Sequence, residues 1–196
     1  MIGFSQEIIR VVASDFIVIP VALAVATFFL LKTKELKTKF VATLVIGGVL
    51  ALVFAVIGSA IVNSPRPFVV SQNERDARCD ALADRQHLTT LQEKHFIKSL
   101  CHLKPAEQPL IAHSNDNGFP SDHTLLSSLL GFAILPFAPI AGLVTLLIAL
   151  LIGTARVLAF VHHPIDIIAS FVFSGAAVLI SYYSVKLYFA KRKTKK

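Results

Sequence analysis

The chain has 196 residues, of which 55% are hydrophobic and 16% are charged, and its formal net charge is +7. Soluble domains carry about 45–50% apolar and about 25% charged residues, so the composition indicates an integral membrane protein with a single helical domain over residues 1–196. The basic residues cluster beside apolar runs without any RNA- or DNA-binding motif, which excludes nucleic acid as the expected partner.

Five apolar stretches approach or exceed the roughly 20 residues that a membrane-spanning helix requires. They lack the alternation typical of strands, so they predict an all-α integral membrane bundle of about five transmembrane helices. In chain order the stretches are Phe16–Leu31 (which Val11–Ser14 can extend), Phe40–Val62, Ser121 to about Ala138, Ile140–Val161, and Ile165 to about Phe189. The N-terminus lacks the basic region and cleavage site of a signal peptide, so we expect none to be removed.

The lysines predict how these helices are oriented in an inner (cell) membrane. Lys32–Lys39 contains four lysines and the tail at 190–196 is basic, so both segments should face the cytoplasm. With five spans, the loop at about 63–120 then faces outward, and it is the one sizeable polar region of the chain. The motifs described below all fall at the outer ends of the predicted spans.

The outer loop is expected to carry an amphipathic helix over about Ala81–Leu103, because leucines recur there at near-helical spacing. Such a helix would lie on the membrane or over the site, and a packed surface helix without a further role fits the pattern equally well. The two cysteines, Cys79 and Cys101, both lie in this loop. Outside the cytoplasm they can form a disulfide; two free thiols are the alternative, and the nearby histidines have no recognised zinc spacing.

The sequence His-His-Pro-Ile-Asp at 162–166 predicts the start of the last helix. Proline favours the first helical position, so the helix should begin near Pro164 with His163 at its cap. Asp166 in the first turn can then reach back to one nitrogen of His162 and fix its tautomer, which leaves the other nitrogen as a nucleophile. A capping aspartate beside an interfacial histidine is the structural alternative.

The sequence Pro-Ser-Asp-His at 120–123 marks a second helix N-terminus. Backbone N–H groups at such an end bind anions, and Ser121 adds a hydroxyl donor. His123 in the first turn is placed to protonate a leaving oxygen. An ordinary serine cap with a surface histidine is the structural alternative.

Two arginines complete the candidate site. Arg66 lies between two prolines that hold it in an extended stretch, and its planar fork suits phosphate oxygens. Arg156 interrupts the fourth apolar stretch near its outer end, where snorkelling to lipid headgroups is the alternative. Together these groups would neutralise a phosphoryl group while one histidine attacks and the other protonates. No carboxylate cluster suited to Mg²⁺ is apparent in the sequence, so we predict chemistry that needs no metal and no other cofactor.

These motifs resemble those of the type 2 phosphatidic acid phosphatase superfamily, which also includes vanadium haloperoxidases. The family signature is a lysine, six residues and Arg-Pro; then Pro-Ser-Gly-His; then Ser-Arg, five residues, His, three residues and Asp. The matching residues are Arg66-Pro67, Pro120-Ser121-Asp122-His123 with Asp122 in the glycine position, and Arg156, His162 and Asp166 at the family spacing. The lysine position holds Ser59, and the serine before Arg156 is Ala155.

The resemblance implies that His162 forms a phosphohistidine, that Asp166 orients it, and that His123 protonates the leaving group. The residues implied in substrate binding are Arg66, Ser121, Asp122 and Arg156. The sequence Gly-Phe-Pro-Ser-Asp-His at 118–123 is also similar to that of the small bacterial undecaprenyl pyrophosphate phosphatases of the bacitracin-resistance type.

The leading hypothesis from the sequence is therefore metal-independent hydrolysis of undecaprenyl pyrophosphate to the monophosphate at the outer face, which recycles the lipid carrier for cell-wall synthesis. The expected partners are a polyprenyl (pyro)phosphate substrate and the bilayer. Ser59 in the lysine position keeps open another lipid substrate, such as phosphatidate, phosphatidylglycerol phosphate or a lipid A phosphate. A weakly active membrane binding protein is the third interpretation, because two family positions are changed.

Overall fold

A computed structural model describes residues 4–85, 109–111 and 117–194, and these ranges contain seven helices. In chain order they are α1 (Phe4–Ser14), α2 (Val18–Leu30), α3 (Lys34–Ile61), α4 (Pro67–Arg85), α5 (Asp122–Ile134), α6 (Pro139–Leu158) and α7 (Pro164–Lys193). The described ranges hold no strand, and an isolated antiparallel bridge joins Pro65 to Asn117. The predicted all-α membrane bundle is confirmed.

The number of spans differs in detail from the expected five. Helices α3, α6 and α7 are long and apolar enough to cross a membrane, and α1 with α2, bent by 42°, makes a fourth if the pair is one broken span. Helix α5 has 13 residues, which rise about 20 Å and fall short of the roughly 30 Å hydrocarbon core. It is extended only by a turn at 135–137 before α6 begins.

The outward faces of the long helices are apolar, as a lipid environment requires. Large exposed side chains form stripes on two of them: Val45, Val49, Leu52 and Val56 on α3, and Leu143, Leu147, Leu150 and Leu151 on α6. Exposing such faces to water would cost a free energy of about 25 cal/mol per Å² of apolar surface. The stripes therefore support the membrane assignment independently of helix length.

Small and hydroxyl-bearing residues line the contacts between helices, as is typical in membranes. Ser128 of α5 and Ser174 of α7 share a hydrogen bond of 2.7 Å. A Cβ atom added to Gly131 would lie 2.8 Å from the side chain of Leu146, so α5 and α6 approach closely. This packing fixes the relative positions of α5, α6 and α7, whose ends carry the predicted site residues.

Helix α1 packs against the C-terminal end of α6 together with the start of α4. The buried residues of this contact are Ala13, Phe68, Ala155, Ala159 and Val161, and Leu110 and Ile111 pack against them. The cluster covers one side of the region where the motif residues meet.

The loop at about 63–120 begins with a helix that the sequence did not predict. Helix α4 starts at Pro67, well before the predicted amphipathic helix at Ala81–Leu103, and it continues to Arg85. Proline at a helix start is the signal that was missed, because its missing N–H costs nothing in the first turn. The rest of Ala81–Leu103 lies outside the described residues. Cys79 is buried and disulfide-bonded; Cys101 also lies outside the described part of the chain.

Candidate active site

The candidate site lies where α3 and α6 end and α5 and α7 begin, so four chain segments meet at one end of the bundle. Ser170 on α7 donates to the carbonyl of Ser121 at 3.0 Å, which ties the start of α7 to the start of α5. Arg66, just after α3, donates to the carbonyl of Val161 at 2.9 Å, which ties the end of α3 to the end of α6.

The imidazole of His162 is buried between these segments, with 3% of its side chain exposed. Its Nδ1 lies 2.8 Å from the carbonyl oxygen of Gly118. A carbonyl oxygen only accepts hydrogen bonds, so Nδ1 carries the proton in this contact. In the neutral ring the lone pair is then on Nε2, which lies 3.4 Å from NH1 of Arg66. The nitrogen that bears the lone pair therefore faces the guanidinium of Arg66, the arrangement that the predicted role of a nucleophile requires.

Asp166 is fully buried in the first turn of α7 and supports the same arrangement. Its Oδ2 accepts from the backbone N–H of His163 at 2.8 Å, and its Oδ1 accepts from the hydroxyl of Ser64 at 3.1 Å. Its Oδ2 is 3.5 Å from Nδ1 of His162. The predicted helix start is thus observed, with His163 at the cap and Pro164 first in the helix. The closer partner of the imidazole is nevertheless the Gly118 carbonyl, which sequence reasoning missed.

Burial lowers the pKa of His162 below its ordinary value of 6.5, hydrogen bonding to Asp166 opposes this, and the charges of Arg156 and Arg66 lower it further. The reason is that the charged imidazolium loses hydration in the interior and is repelled by two cations. The ring is accordingly neutral at pH 7. A neutral ring is the form in which a histidine nitrogen can attack phosphorus.

Arg156 is buried in the last turn of α6, with 2% of its surface exposed. Its NH1 donates to the carbonyl of Ala13 at 3.1 Å, at the C-terminal end of α1. Arginine has five N–H donors in a fixed planar fork, so the bond from NH1 fixes the orientation of the whole guanidinium group. Arg156 is held by helix α1 rather than extended to a lipid headgroup, so the snorkelling alternative does not fit.

The start of α5 brings the remaining predicted residues to the site. Ser121 is fully buried at the N-cap, and its hydroxyl accepts from Thr124 at 3.1 Å rather than capping its own helix. His123 is half-buried and within electrostatic range of Arg156 and His162. Asp122 is exposed, and its charge acts on His123 and on Arg156 through space.

Asn117 is a further residue that sequence reasoning missed. Its side-chain oxygen accepts from the backbone N–H groups of Ser64 at 3.0 Å and Phe119 at 3.1 Å. Its amide nitrogen donates to the carbonyls of Ser59 at 3.0 Å and Val62 at 2.7 Å. One side chain therefore fastens the loop at 117–119 to the end of α3. The loop carries the Gly118 carbonyl that contacts His162.

The two departures from the family signature have local structural explanations. The hydroxyl of Ser59 donates to the carbonyl of Val56 within α3, so it is turned back to its own helix. Ala155 is buried in the apolar contact between α1 and α6, where a hydroxyl would find an apolar surrounding. Neither position contributes a charged group to the site.

Comparisons with known proteins identify the family of this chain. The family model of the PAP2 superfamily matches residues 36–189. The chain belongs to the PAP2 superfamily. Together with its membrane-length helices, this membership supports a PAP2-type membrane lipid phosphatase.

Two individual relatives are more distant or only partly aligned. The chain is 36% identical over 80 residues to the bacitracin transport permease protein BcrC of Bacillus licheniformis, and the alignment covers 41% of this chain and 39% of that protein. A solved structure, the first transmembrane PAP2-type phosphatidylglycerolphosphate phosphatase from Bacillus subtilis, is 17% identical and covers 95% of this chain and 92% of that one, with a TM-score of 0.33. At that TM-score the structural likeness carries no argument.

Proposed function

We propose that the protein hydrolyses undecaprenyl pyrophosphate to undecaprenyl phosphate at the outer face of the cell membrane, through a phosphohistidine on His162. The observation that carries this proposal is the orientation of His162. Its Nδ1 is committed to the Gly118 carbonyl, and its Nε2 faces Arg66 in a buried site. This is the arrangement required of a nucleophile that attacks a bound phosphoryl group.

In the proposed first step, Nε2 of His162 forms a bond to the terminal phosphorus while the bond from that phosphorus to the bridging oxygen breaks. His123 in its protonated form gives its proton to the leaving oxygen, and the lipid monophosphate departs. Burial and the charge of Arg156 lower the pKa of His123, and the negative charge of the bound pyrophosphate would oppose this and favour the protonated ring. Arg66, Arg156 and the hydroxyl of Ser121 neutralise the three phosphoryl oxygens, whose charge grows in the transition state. Asp122 at the mouth of the site would limit the net positive charge near His123.

In the second step a water molecule attacks the phosphohistidine, and His123 accepts the proton that the water loses. The phosphorus–nitrogen bond breaks and inorganic phosphate leaves, which restores neutral His162. Asp166 carries no proton in either step. It holds the start of α7 through the His163 N–H and stabilises the imidazolium that forms transiently.

The outer-face assignment rests on two independent features. The lysine-rich segments at 32–39 and at the C-terminal end of α7 lie at the opposite end of the bundle from the candidate site, and such segments favour the cytoplasm. Cys79 lies on α4, the helix that begins directly after Arg66, and is disulfide-bonded; disulfides persist outside the reducing cytoplasm.

The pyrophosphate substrate is supported by the motif at 118–123, while Ser59 in the lysine position leaves other lipid phosphates as competitors. We therefore expect the purified protein to release phosphate from undecaprenyl pyrophosphate in the presence of EDTA. Turnover should exceed that on phosphatidate, phosphatidylglycerol phosphate and a lipid A phosphate. Preference for one of those lipids would refute the substrate and leave the reaction class intact. Loss of all turnover on chelation would refute metal independence.

Two variants of adjacent histidines test the mechanism. His162→Ala should abolish both turnover and acid-labile phosphate on the protein, because no other buried imidazole faces Arg66 among the described residues. His163→Asn is the matched control, because His163 contacts the carbonyl of Pro65 and caps α7 instead. Full activity of His162→Ala would eliminate the phosphohistidine mechanism.

A further inference from the structure

A small cavity lies at the end of the bundle opposite the candidate active site. It has a volume of about 160 Å³ and is lined by the start of α3, the turn between α5 and α6, and the last part of α7. The polar residues of its wall are Lys39, Thr43, Tyr182 and Lys186. The function proposed above makes no use of this cavity.

Thr43 is the unusual member of the wall. It is fully buried, and its hydroxyl oxygen has no hydrogen-bond partner within the described ranges. Four other helical threonines, namely Thr27, Thr38, Thr145 and Thr154, donate to the carbonyl four residues earlier. A buried hydroxyl without a partner costs about 1–3 kcal/mol, and a hydrogen bond to a ligand in the cavity would remove that cost.

Charge at the cavity is positive. Lys39 forms an ion pair with Glu35 at 2.7 Å, and Lys186 lies over the ring of Tyr183 at 6.0 Å, with no ion pair to an acidic residue of the described ranges. Together the three ionised groups leave one net positive charge beside the buried hydroxyl. An anion is the ligand that satisfies both features, because it accepts a hydrogen bond and offsets the charge.

We propose that this cavity binds the phosphate group of an anionic phospholipid. Basic pockets between transmembrane helices on the lysine-rich side of a membrane protein are sites for such headgroups. The cavity has room for a phosphate group but not for an acyl chain, so the chains would remain in the bilayer beside Phe137 and Val185, two apolar residues of the same wall. Thr43 would donate to a phosphate oxygen, and Lys186 and Lys39 would supply the attraction.

The proposal is tested by titrating the full-length, delipidated protein with phosphatidylglycerol, and separately with phosphatidylcholine. Bound lipid is counted by native mass spectrometry, and thermal stabilisation is measured in parallel. Phosphatidylglycerol is a phosphodiester without a terminal phosphoryl group, so it does not serve as a substrate for His162. We expect Thr43→Val and Lys186→Gln each to weaken phosphatidylglycerol binding about tenfold, as loss of a hydrogen bond or charge contact to an ionised group predicts.

Lys191→Gln is the matched control, since it removes the same charge from the same end of α7 at an exposed position outside the cavity wall. It should change the affinity less than twofold. Equal weakening by Lys191→Gln and Lys186→Gln would reduce the effect to general electrostatics and overturn the site. Wild-type affinity in Thr43→Val, or a lower melting temperature of that variant without lipid, would also overturn it. Equal stabilisation by inorganic phosphate would overturn the lipid assignment.

Discussion

Replacing Asn117 by alanine tests whether the loop at 117–119 controls the tautomer of the proposed nucleophile. The side chain makes four hydrogen bonds to Ser59, Val62, Ser64 and Phe119. Without them the loop is held chiefly by the backbone bond from Gly118 to the carbonyl of Ser64 at 2.8 Å. The Gly118 carbonyl would then hold the Nδ1 proton of the histidine less strictly.

The expected magnitude follows from these bonds. A hydrogen bond contributes a net of about 0.5–1.5 kcal/mol, and the half-buried position of Asn117 allows water to replace part of what is lost. A total of about 2–3 kcal/mol is therefore reasonable, and at about 1.36 kcal/mol per factor of ten it corresponds to a loss of roughly 30- to 150-fold in kcat. KM should change less than kcat, because one of the two arginines proposed to bind phosphate, Arg156, is held by the carbonyl of Ala13 rather than by this loop.

The assay is phosphate release from the lipid substrate in detergent, with kcat and KM determined separately. Asn63→Ala is the matched control, since Asn63 is an exposed asparagine just after the end of α3. It should leave both constants within twofold of the wild type. Unchanged kcat in Asn117→Ala, with an unchanged melting temperature, would refute the link between this loop and the nucleophile.

Three further predictions concern the same site. The pKa of His162 is lowered by burial and by the neighbouring arginines, so the acid limb of kcat/KM against pH should lie below 6.5. On acidification the histidine of the unfolded chain is protonated at a higher pH than that of the folded chain, so the free energy of unfolding should also fall below pH 6.5. Gly118→Ala places a Cβ atom 3.3 Å from the carbonyl of Ser64 and should lower kcat about tenfold through local overpacking, which the phosphate-release assay measures. Arg156→Lys keeps the charge but not the fork, and should raise KM about tenfold in the same assay; unchanged KM would contradict its role in phosphate binding.

The helices were largely predictable because long apolar runs leave few alternatives in a membrane. The start of α7 was predictable for a local reason. Pro164 directly follows the cap residue His163, and Asp166 lies three residues after that cap, a pattern that marks a helix N-terminus. Helix α5 was predicted too long because the apolar character of residues 135–138 continues past Ile134, where the chain turns. Helix α4 was missed because its sequence is polar and carries little periodic signal.

The site was predictable only in its side chains. The motifs predict that His162, Asp166 and Arg66 share one site, and the structure places Arg66 and Asp166 beside His162. The decisive partner of His162 is a backbone carbonyl 44 residues earlier in the chain. A carbonyl is present at every residue, so no residue type marks the one that is used. Asn117 escaped for a related reason, since all four of its partners are backbone groups.

The contact between Arg156 and Ala13 extends the functional unit beyond the segment that defines the family. The family match begins at residue 36, yet a guanidinium of the proposed phosphate site is held by the carbonyl of residue 13. Sequence change in α1 can therefore retune the site while every motif residue is kept. Fusions placed at the start of the chain should be judged by turnover as well as by expression, because they act on the helix that supports Arg156 in the proposed phosphate site.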